Sequence, residues 1–285
     1  MNVHFQNREE DKKFIAFNET IFPERGELNR KLTDFRYFNP MNPKSDTSGN
    51  VVATDDDGKL IGQALYHKTD FFFDGNRASS EWGFDFFVVP ERRNDLVGVH
   101  ILQYVKANKP NVFAAGLGEK ALKLQKMLGY NVIGYLKKYV KIIHPFFLPF
   151  GLLRATNLKS GSYPKIIGKG ESLFERISLD ELWNSESPYN ENLIEFARDE
   201  SFLKWRFYSK NFNYAVYRQV GSSGNPIYFA LRTVKIKGIT GLVLVDFRYD
   251  VKKPEQFSLI VSSAKKIATK MWLPILVTAS SHKSS

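Results

Sequence analysis

The sequence predicts an α/β protein of the α+β kind. It reads as two tandem units, each a mixed, mostly antiparallel sheet flanked by helices, with the second unit degenerate or truncated. Three observations carry this. First, 285 residues with 43% apolar content, including 24 Phe and 13 Tyr, exceed the usual size of a single core and can fill two. Second, between Glu81 and Gly98 an apolar strand runs into a charged turn and then an amphipathic helix. Third, the order helix, hairpin, strand, helix, strand recurs after residue 200.

The elements follow in order. Phe14, Ile15, Phe17, Ile21 and then Leu28, Leu32, Phe35 recur at helical spacing, giving two short helices parted by Pro23 and Gly26 and stopped near Asn39-Pro40. Residues 51–54 and 60–68 flank Asp55-Asp56-Asp57-Gly58, and Asp-Gly supplies the positive φ that a hairpin turn requires. Residues 82–89 are apolar on both faces, as a doubly covered central strand requires. Val97, Ile101, Leu102 and Val105 share one face of a helix ending before Pro110, and residues 112–115 form a short strand. Ala121, Leu124 and Leu128 mark another helix, with Gly129 suited to a left-handed C-terminal cap. Residues 131–135 and 137–143 read as two closing strands, so the first domain spans 1–143.

Residues 144–165 form a connector whose first part, from His144 to Arg154, is too broken by Pro145 and Pro149 for a regular element and too apolar for a free linker. Burial between domains is expected for it, with peripheral membrane contact through 146–153 as the alternative. The second domain spans 166–285. Its Lys204-Trp205-Arg206-Phe207-Tyr208 echoes Asp34-Phe35-Arg36-Tyr37-Phe38, and residues 214–220, 227–235, 240–249, 257–267 and 273–279 repeat hairpin, strand, helix and strand. The last helix and two strands of the first domain find no counterpart before Ser285.

With no cysteine, disulfides and thiolate nucleophiles are excluded; five scattered His show no ligand spacing, so no metal site is expected. The N-terminus lacks the apolar core of a secretory signal and no apolar run approaches the ~20 residues of a membrane span, which reads as a cytoplasmic protein. A balance of 41 basic to 30 acidic residues, +11, favours an anionic partner. The lysines are spread rather than blocked, which argues against a dedicated nucleic-acid binder. The strand–turn–helix at 81–98 can meet such an anion, because amides at a helix start lack intrahelical partners and sit at the positive end of the helix dipole. A pyrophosphate would fit there, with Arg92 or Arg93 adding charge.

Over about residues 10–143 this order, with Val88-Val89-Pro90-Glu91-Arg92-Arg93 and Leu128-Gly129-Tyr130, resembles the GNAT superfamily of acyl-CoA-dependent N-acyltransferases. The segment from Arg198 to Phe207 is similar to one in tandem GNAT-like proteins encoded with bacterial surface-polysaccharide enzymes. The resemblance implies transfer of an acetyl or acyl group from acetyl-CoA or another acyl-CoA to a small-molecule amine, often on an aminosugar. It implies donor contacts from the backbone of Phe87, Val88 and Val89 and from Arg93, Asn94, Asp95, Leu96, Val97, Gly98 and Val99. Family members carry Arg or Gln, two residues, Gly, one residue, then Gly or Ala in this turn. Here Arg93 and Gly98 match, whereas Leu96 stands for the first glycine, keeping the backbone path if its φ is negative while its Cβ crowds a close phosphate approach, and Asp95 adds an anion. Gly118 replaces the usual Asn, and Gln125 replaces the Tyr that protonates the leaving thiolate.

For the base, Glu81 and Asp85 are the candidates, placed by strand alternation on one face with Gly83; a solvated strand end and an ion pair are the alternatives. His100 in the helix's first turn, and the phenols of Tyr130, Tyr135 and Tyr139, are secondary candidates. Trp205 and Arg206 would stack on a sugar and grip an anion, or else pack as their echo in Phe35 and Arg36 suggests. Two other functions stay open. One is a Fem-like peptidyltransferase using aminoacyl-tRNA; the other is a non-catalytic glycan-binding or scaffold module.

Overall fold

The computed structural model describes residues 1–37, 47–182, 193–209, 211–221 and 226–280. The chain divides into two compact units, Met1–Ile133 and Gly134–Ser285. The Asn39-Pro40 helix stop and the Ser222-Ser223-Gly224 turn lie outside the described residues.

The first unit opens with β1 (Asn2–Asn7), which the sequence reading did not expect. Its Val3 and Phe5 alternate with polar residues and turn into the core, while the strand pairs antiparallel with β2. Helices α1 (Asp11–Ile21) and α2 (Leu28–Tyr37) follow, parted as expected at Pro23 and Gly26, where φ is +48. Strands β2 (Thr47–Thr54) and β3 (Leu60–Lys68) form the expected hairpin, closed by the Asp55 carboxylate accepting from the Lys59 amide at 2.9 Å. A small hairpin, β4 (Phe71–Phe73) with β5 (Asn76–Ala78), leads to β6 (Glu81–Val88), α3 (Val97–Asn108), β7 (Val112–Ala114) and α4 (Glu119–Met127). The sheet order is β1-β2-β3-β6-β7, antiparallel except for the β6–β7 pair. One face carries α3 on Val51, Ile61, Tyr66 and Val88; the other carries Phe14 of α1 on Val52, Leu60 and Leu65.

The second unit holds β8 (Lys137–Ile142), α5 (Leu148–Leu153), β9 (Ile166–Ile167), β10 (Phe174–Arg176), β11 (Glu195–Phe196), α6 (Glu200–Tyr208), β12 (Ala215–Gln219), β13 (Tyr228–Ile236), β14 (Ile239–Arg248), α7 (Pro254–Lys270) and β15 (Ile275–Ser280). Its seven-stranded sheet runs β8-β15-β14-β13-β12-β10-β9, parallel only between β14 and β15.

Two expectations change here. Residues 131–135 are not a strand, and β8 does not close the first sheet: it pairs antiparallel with β15, from Ile142 on Ile275 to Lys137 on Ser280. The boundary therefore falls at 133–134 rather than 143, and β8 occupies the place beyond β15 for which the second half of the sequence offers no strand. In the connector, residues expected to be buried form α5, whose Gly151 packs down while Phe146 and Leu153 stand exposed.

Candidate functional site

Strand β6 is paired along its whole length with β3 but meets β7 only at Glu81–Val112, Trp82–Phe113 and Gly83–Ala114. Among the described residues, β6 from Phe84 to Val88 therefore has a sheet neighbour on one side only. The opening begins where β6 is distorted. Gln63 pairs with Phe87 and Leu65 with Phe84, so β6 carries one extra residue there, and Asp85 adopts φ +45.

That bulge overturns the prediction that Glu81 and Asp85 share a face, because an inserted residue breaks the two-residue alternation. Glu81 binds the buried Lys109 Nζ at 2.5 Å, on the α3 face beside the rings of Phe5 and Tyr66. It stands at the paired end of β6, away from the opening. Asp85 faces the α1–α2 side and is held by Arg25 through two bonds, Nη1 to Oδ2 at 2.7 Å and Nη2 to Oδ1 at 3.1 Å. Next to it Asn18 and Gln63 exchange side-chain amide bonds of 3.0 and 3.1 Å, and Gln63 Nε2 reaches the Asp85 carbonyl at 3.4 Å. Phe14, Asn18, Arg25, Asn29 and Asp85 line a cleft here. Asn29 donates to the Phe22 carbonyl at 2.8 Å, and its Oδ1 is buried without a hydrogen-bond partner among the described residues. A carboxylate bound bidentately by guanidinium has its lone pairs engaged and its charge stabilised, which suits anchoring better than proton abstraction.

Past β6, Pro90–Asp95 forms a 3-10 turn and Leu96 takes φ +59, ψ 14 before α3 begins. The negative φ required of Leu96 is not what occurs. The backbone keeps the left-handed path that glycine would take, and the Leu96 side chain points outward, 59% exposed. Leu96 gives α3 no side-chain cap, and the helical ladder starts with the His100 amide on the Leu96 carbonyl at 3.0 Å. The amides of Val97, Gly98 and Val99 precede that first bond; Val97 is fully buried, whereas Gly98 and Val99 keep part of their surface exposed. Asp95 is balanced by Arg92, whose Nε lies 3.2 Å away. Arg93 donates from Nε to the Val88 carbonyl at 3.1 Å, tying strand end to turn, and is otherwise exposed with Asn94. Of the three strand residues expected to bind donor through backbone, Val89 is already engaged: its amide bonds the Ile61 carbonyl at 3.0 Å and its carbonyl accepts from Arg92 at 3.0 Å. Gly98 packs closely, since a Cβ there would sit 3.1 Å from Phe86 Cζ.

The secondary candidates scatter. His100 is exposed, and Tyr130 donates to the Leu102 carbonyl at 3.3 Å with burial raising its phenol. Tyr135 is exposed on the chain leading to β8, and Tyr139 belongs to the second sheet. Gly118 caps the start of α4, and the Gln125 carbonyl accepts the Tyr130 amide at 3.0 Å beside Gly129, whose φ is +81 as expected. Trp205 is only 4% exposed and meets Phe202 edge to face at 5.8 Å, so its ring is core and is not presented to a sugar. Arg206 is half-buried near the Tyr214 hydroxyl, 3.5 Å from its Nη1.

The second unit repeats part of this geometry without the anion cradle. Strands β14 and β15 pair only at Leu242–Leu276, Val243–Val277 and Leu244–Thr278, and β14 bulges where Ala230 faces Asp246 while Leu231 faces Leu244. Asp246 is clasped by Arg198, 2.8 Å from Nη2 and 3.1 Å from Nε, and accepts from Tyr228 at 2.7 Å. Ahead of α7, however, the turn closes on itself: the Lys252 and Lys253 amides bond Asp250, and the Asp250 amide bonds Gln256 Oε1. Phe247, Tyr249 and Phe257 stack together there at 5.2–6.2 Å.

Set beside solved structures, the chain is similar over its whole length to a GCN5-related N-acetyltransferase from Anabaena variabilis ATCC 29413, with TM-score 0.62 at 11% identity. A protein of Enterococcus faecalis V583 described as a probable N-acyltransferase gives 0.61 at 12%. The fold is that of the GCN5-related N-acetyltransferases. N-myristoyltransferase of Saccharomyces cerevisiae, solved with bound myristoyl-CoA and inhibitors, shares the GNAT-type fold over 98% of this chain and 74% of its own, with TM-score 0.52 at 10% identity. The chain spans 66% of the Anabaena and Enterococcus proteins. No family model and no curated protein matches the sequence. Among the described residues, no group of three or more His, Asp or Glu is placed to hold a metal ion.

Proposed function

We propose that the first unit binds an acyl-CoA and directs its acyl group to an amine. One observation carries this reading: the half-open β6 edge from Phe84 to Val88 runs directly into an uncapped helix start behind a left-handed Leu96. The amides of Gly98 and Val99, the dipole of a 12-residue helix and the exposed Arg93 suit a diphosphate, and Asp95 is paired with Arg92. Bound acyl-CoA would supply the thioester carbonyl. The amine nitrogen would bond to that carbon as the carbon–sulfur bond breaks, the CoA thiolate leaving as the anion or taking a proton from water while the amine's surplus proton passes to solvent. Rate enhancement would come from alignment along the strand edge and from backbone N–H groups meeting the carbonyl oxygen.

The acceptor would approach the thioester along the open β6 edge beside the bulge, because the cleft beneath it has room for no more than a water molecule. The Arg25–Asp85 pair keeps the strand rigid at the bulge, and the Asn29 Oδ1, without a hydrogen-bond partner among the described residues, suits a single bound water in the cleft below. Asp85 is thus a positioning residue in this proposal, and an aminosugar is the first acceptor to assay. The second unit is read as a degenerate GNAT-like copy, on the strength of its repeated Arg–Asp clasp and its self-closed α7 turn.

Titration calorimetry with acetyl-CoA tests the donor half. Binding is expected, weakened about tenfold or more in Arg93→Ala, which removes a charge-assisted contact. Loss of binding in the wild-type chain would remove the proposal.

A further inference from the structure

The apolar run from Pro145 to Leu153 takes no part in the site above. It is fastened to the second unit at three points. A Cβ on Gly151 would lie 2.7 Å from Pro274 Cγ and 2.9 Å from Ile239 Cγ2, so only glycine seats α5 there. The Ile143 amide donates to the Pro274 carbonyl at 2.7 Å. Arg154 Nη1 donates to the Met271 carbonyl at 2.6 Å, while the Arg154 carbonyl accepts from Thr240 at 2.9 Å.

Fastened this way, the segment turns its bulk to solvent. Phe146 is 79% and Leu153 88% exposed, and Phe150 and Leu152 are exposed beside them. The rings of Phe147 and Phe150 lie 5.1 and 5.2 Å from Trp272, itself 52% exposed and held at φ +55, so helix and loop form one patch. A contiguous exposed cluster of Phe, Leu and Trp is not ordinary solvated surface. Lysines frame it. Strand β8 runs to the same Pro274 anchor with exposed Lys141 next to its anchored end and Lys137 and Lys138 at its far end, and exposed Lys270 stands two residues before Trp272.

We propose that this patch docks the chain on an anionic lipid surface, with Phe146, Phe150, Leu153 and Trp272 entering the headgroup–acyl boundary and Lys141 and Lys270 facing lipid phosphates. Charge selects this occupant. A second copy would set one lysine-framed patch against another on chains of net charge +11, whereas an anionic bilayer meets both the aromatic and the cationic parts. Contact is interfacial: α5 has six residues, and among the described residues no helix is long and apolar enough to cross a membrane.

Flotation of the full chain with phosphatidylcholine vesicles, with and without phosphatidylglycerol, tests the proposal. Binding is expected to the phosphatidylglycerol vesicles, to be reversed by salt, and to fall about fivefold for each of Lys141→Ala and Lys270→Ala. The pair Phe146→Ser with Leu153→Ser should weaken it tenfold or more with an unchanged melting temperature, since both side chains are solvated in the free protein. Failure to float with anionic vesicles, or equal flotation of wild type and the Ser pair, overturns it. So does a dimer seen by light scattering that the same Ser pair abolishes, because a second copy would then be the occupant.

Discussion

Arg25 clasps Asp85 at the β6 bulge, and Arg198 clasps Asp246 at the corresponding bulge of β14, each carboxylate taking two bonds of 2.7–3.1 Å from one guanidinium. In both units the arginine comes from the chain just before a helix, Arg25 ahead of α2 and Arg198 ahead of α6. A motif that recurs in the unit whose α7 turn is closed is explained by folding: it pins the helical layer to the strand's weakest point. Arg25→Ala should therefore cost about 2–4 kcal/mol in urea unfolding, because it strands a mostly buried carboxylate. Adding Asp85→Ala should recover part of that loss. Arg25→Lys should rescue poorly, since an ammonium cannot span both oxygens. If Asp85 were instead the proton acceptor, Asp85→Asn would abolish turnover in a chain of unchanged stability; the expected result is the reverse, a lowered melting temperature with turnover kept within about tenfold.

Leu96 occupies a conformation that costs an L-residue about 1–2 kcal/mol and that glycine adopts freely. Leu96→Gly should thus raise stability by up to about 1 kcal/mol, the gain reduced by glycine's greater unfolded-state freedom. Removing an exposed side chain beside the α3 amides should also leave acetyl-CoA affinity equal or higher. Leu96→Val, β-branched at positive φ, should lower both. Thermal melting and calorimetry on the three chains make the check.

Where local chemistry decides structure, the sequence was readable. Asp-Gly placed the β2–β3 turn, Pro110 bounded α3, and Gly129 took its left-handed cap. Where partners are distant, it was not. Nothing in the alternation of β6 announces the bulge at Asp85, and it moves that carboxylate to the face opposite Glu81. The partner of β8 is β15, more than a hundred residues away, so a strand correctly located by its pattern went to the wrong sheet. At Leu96 the residue type argued for the wrong sign of φ, because tertiary context holds the turn in spite of the side chain. Strand β1 leaves little trace in the sequence, because Val3 and Phe5 alone give only a weak period of two. A signal for the bulge did exist in the paired Arg25 and Arg198, but only contacts show which acid each one holds.

Trp205 separates packing from recognition. Buried against Phe202 in α6, it should behave as core: Trp205→Ala is expected to cost about 3–5 kcal/mol by denaturant unfolding. Trp205→Phe should lose much less and leave sugar or acyl-acceptor affinity unaltered. A loss of acceptor binding in a stably folded Trp205→Phe chain would return the ring to the recognition role that its composition first suggested.

Asp246 ties stability to pH. Burial alone would raise its carboxyl, but Arg198 beside it, with hydrogen bonds from Arg198 and Tyr228, outweighs burial and holds it below the ordinary 3.8. A carboxyl depressed in the folded state adds stability that is complete above its unfolded value and drains away as pH falls through its folded value. The clasp should therefore contribute fully at neutral pH and weaken only below about pH 4. Asp246→Asn keeps the shape but removes the charge, leaving Arg198 without its bidentate partner although Glu195 stays 3.7 Å away. The variant should be less stable than wild type at pH 7, and the gap should narrow steadily between about pH 4 and pH 2, where the wild-type carboxyl also becomes neutral. Urea midpoints measured across that range would decide the matter, and a gap independent of pH would mean that the clasp holds the bulge through shape and not through charge.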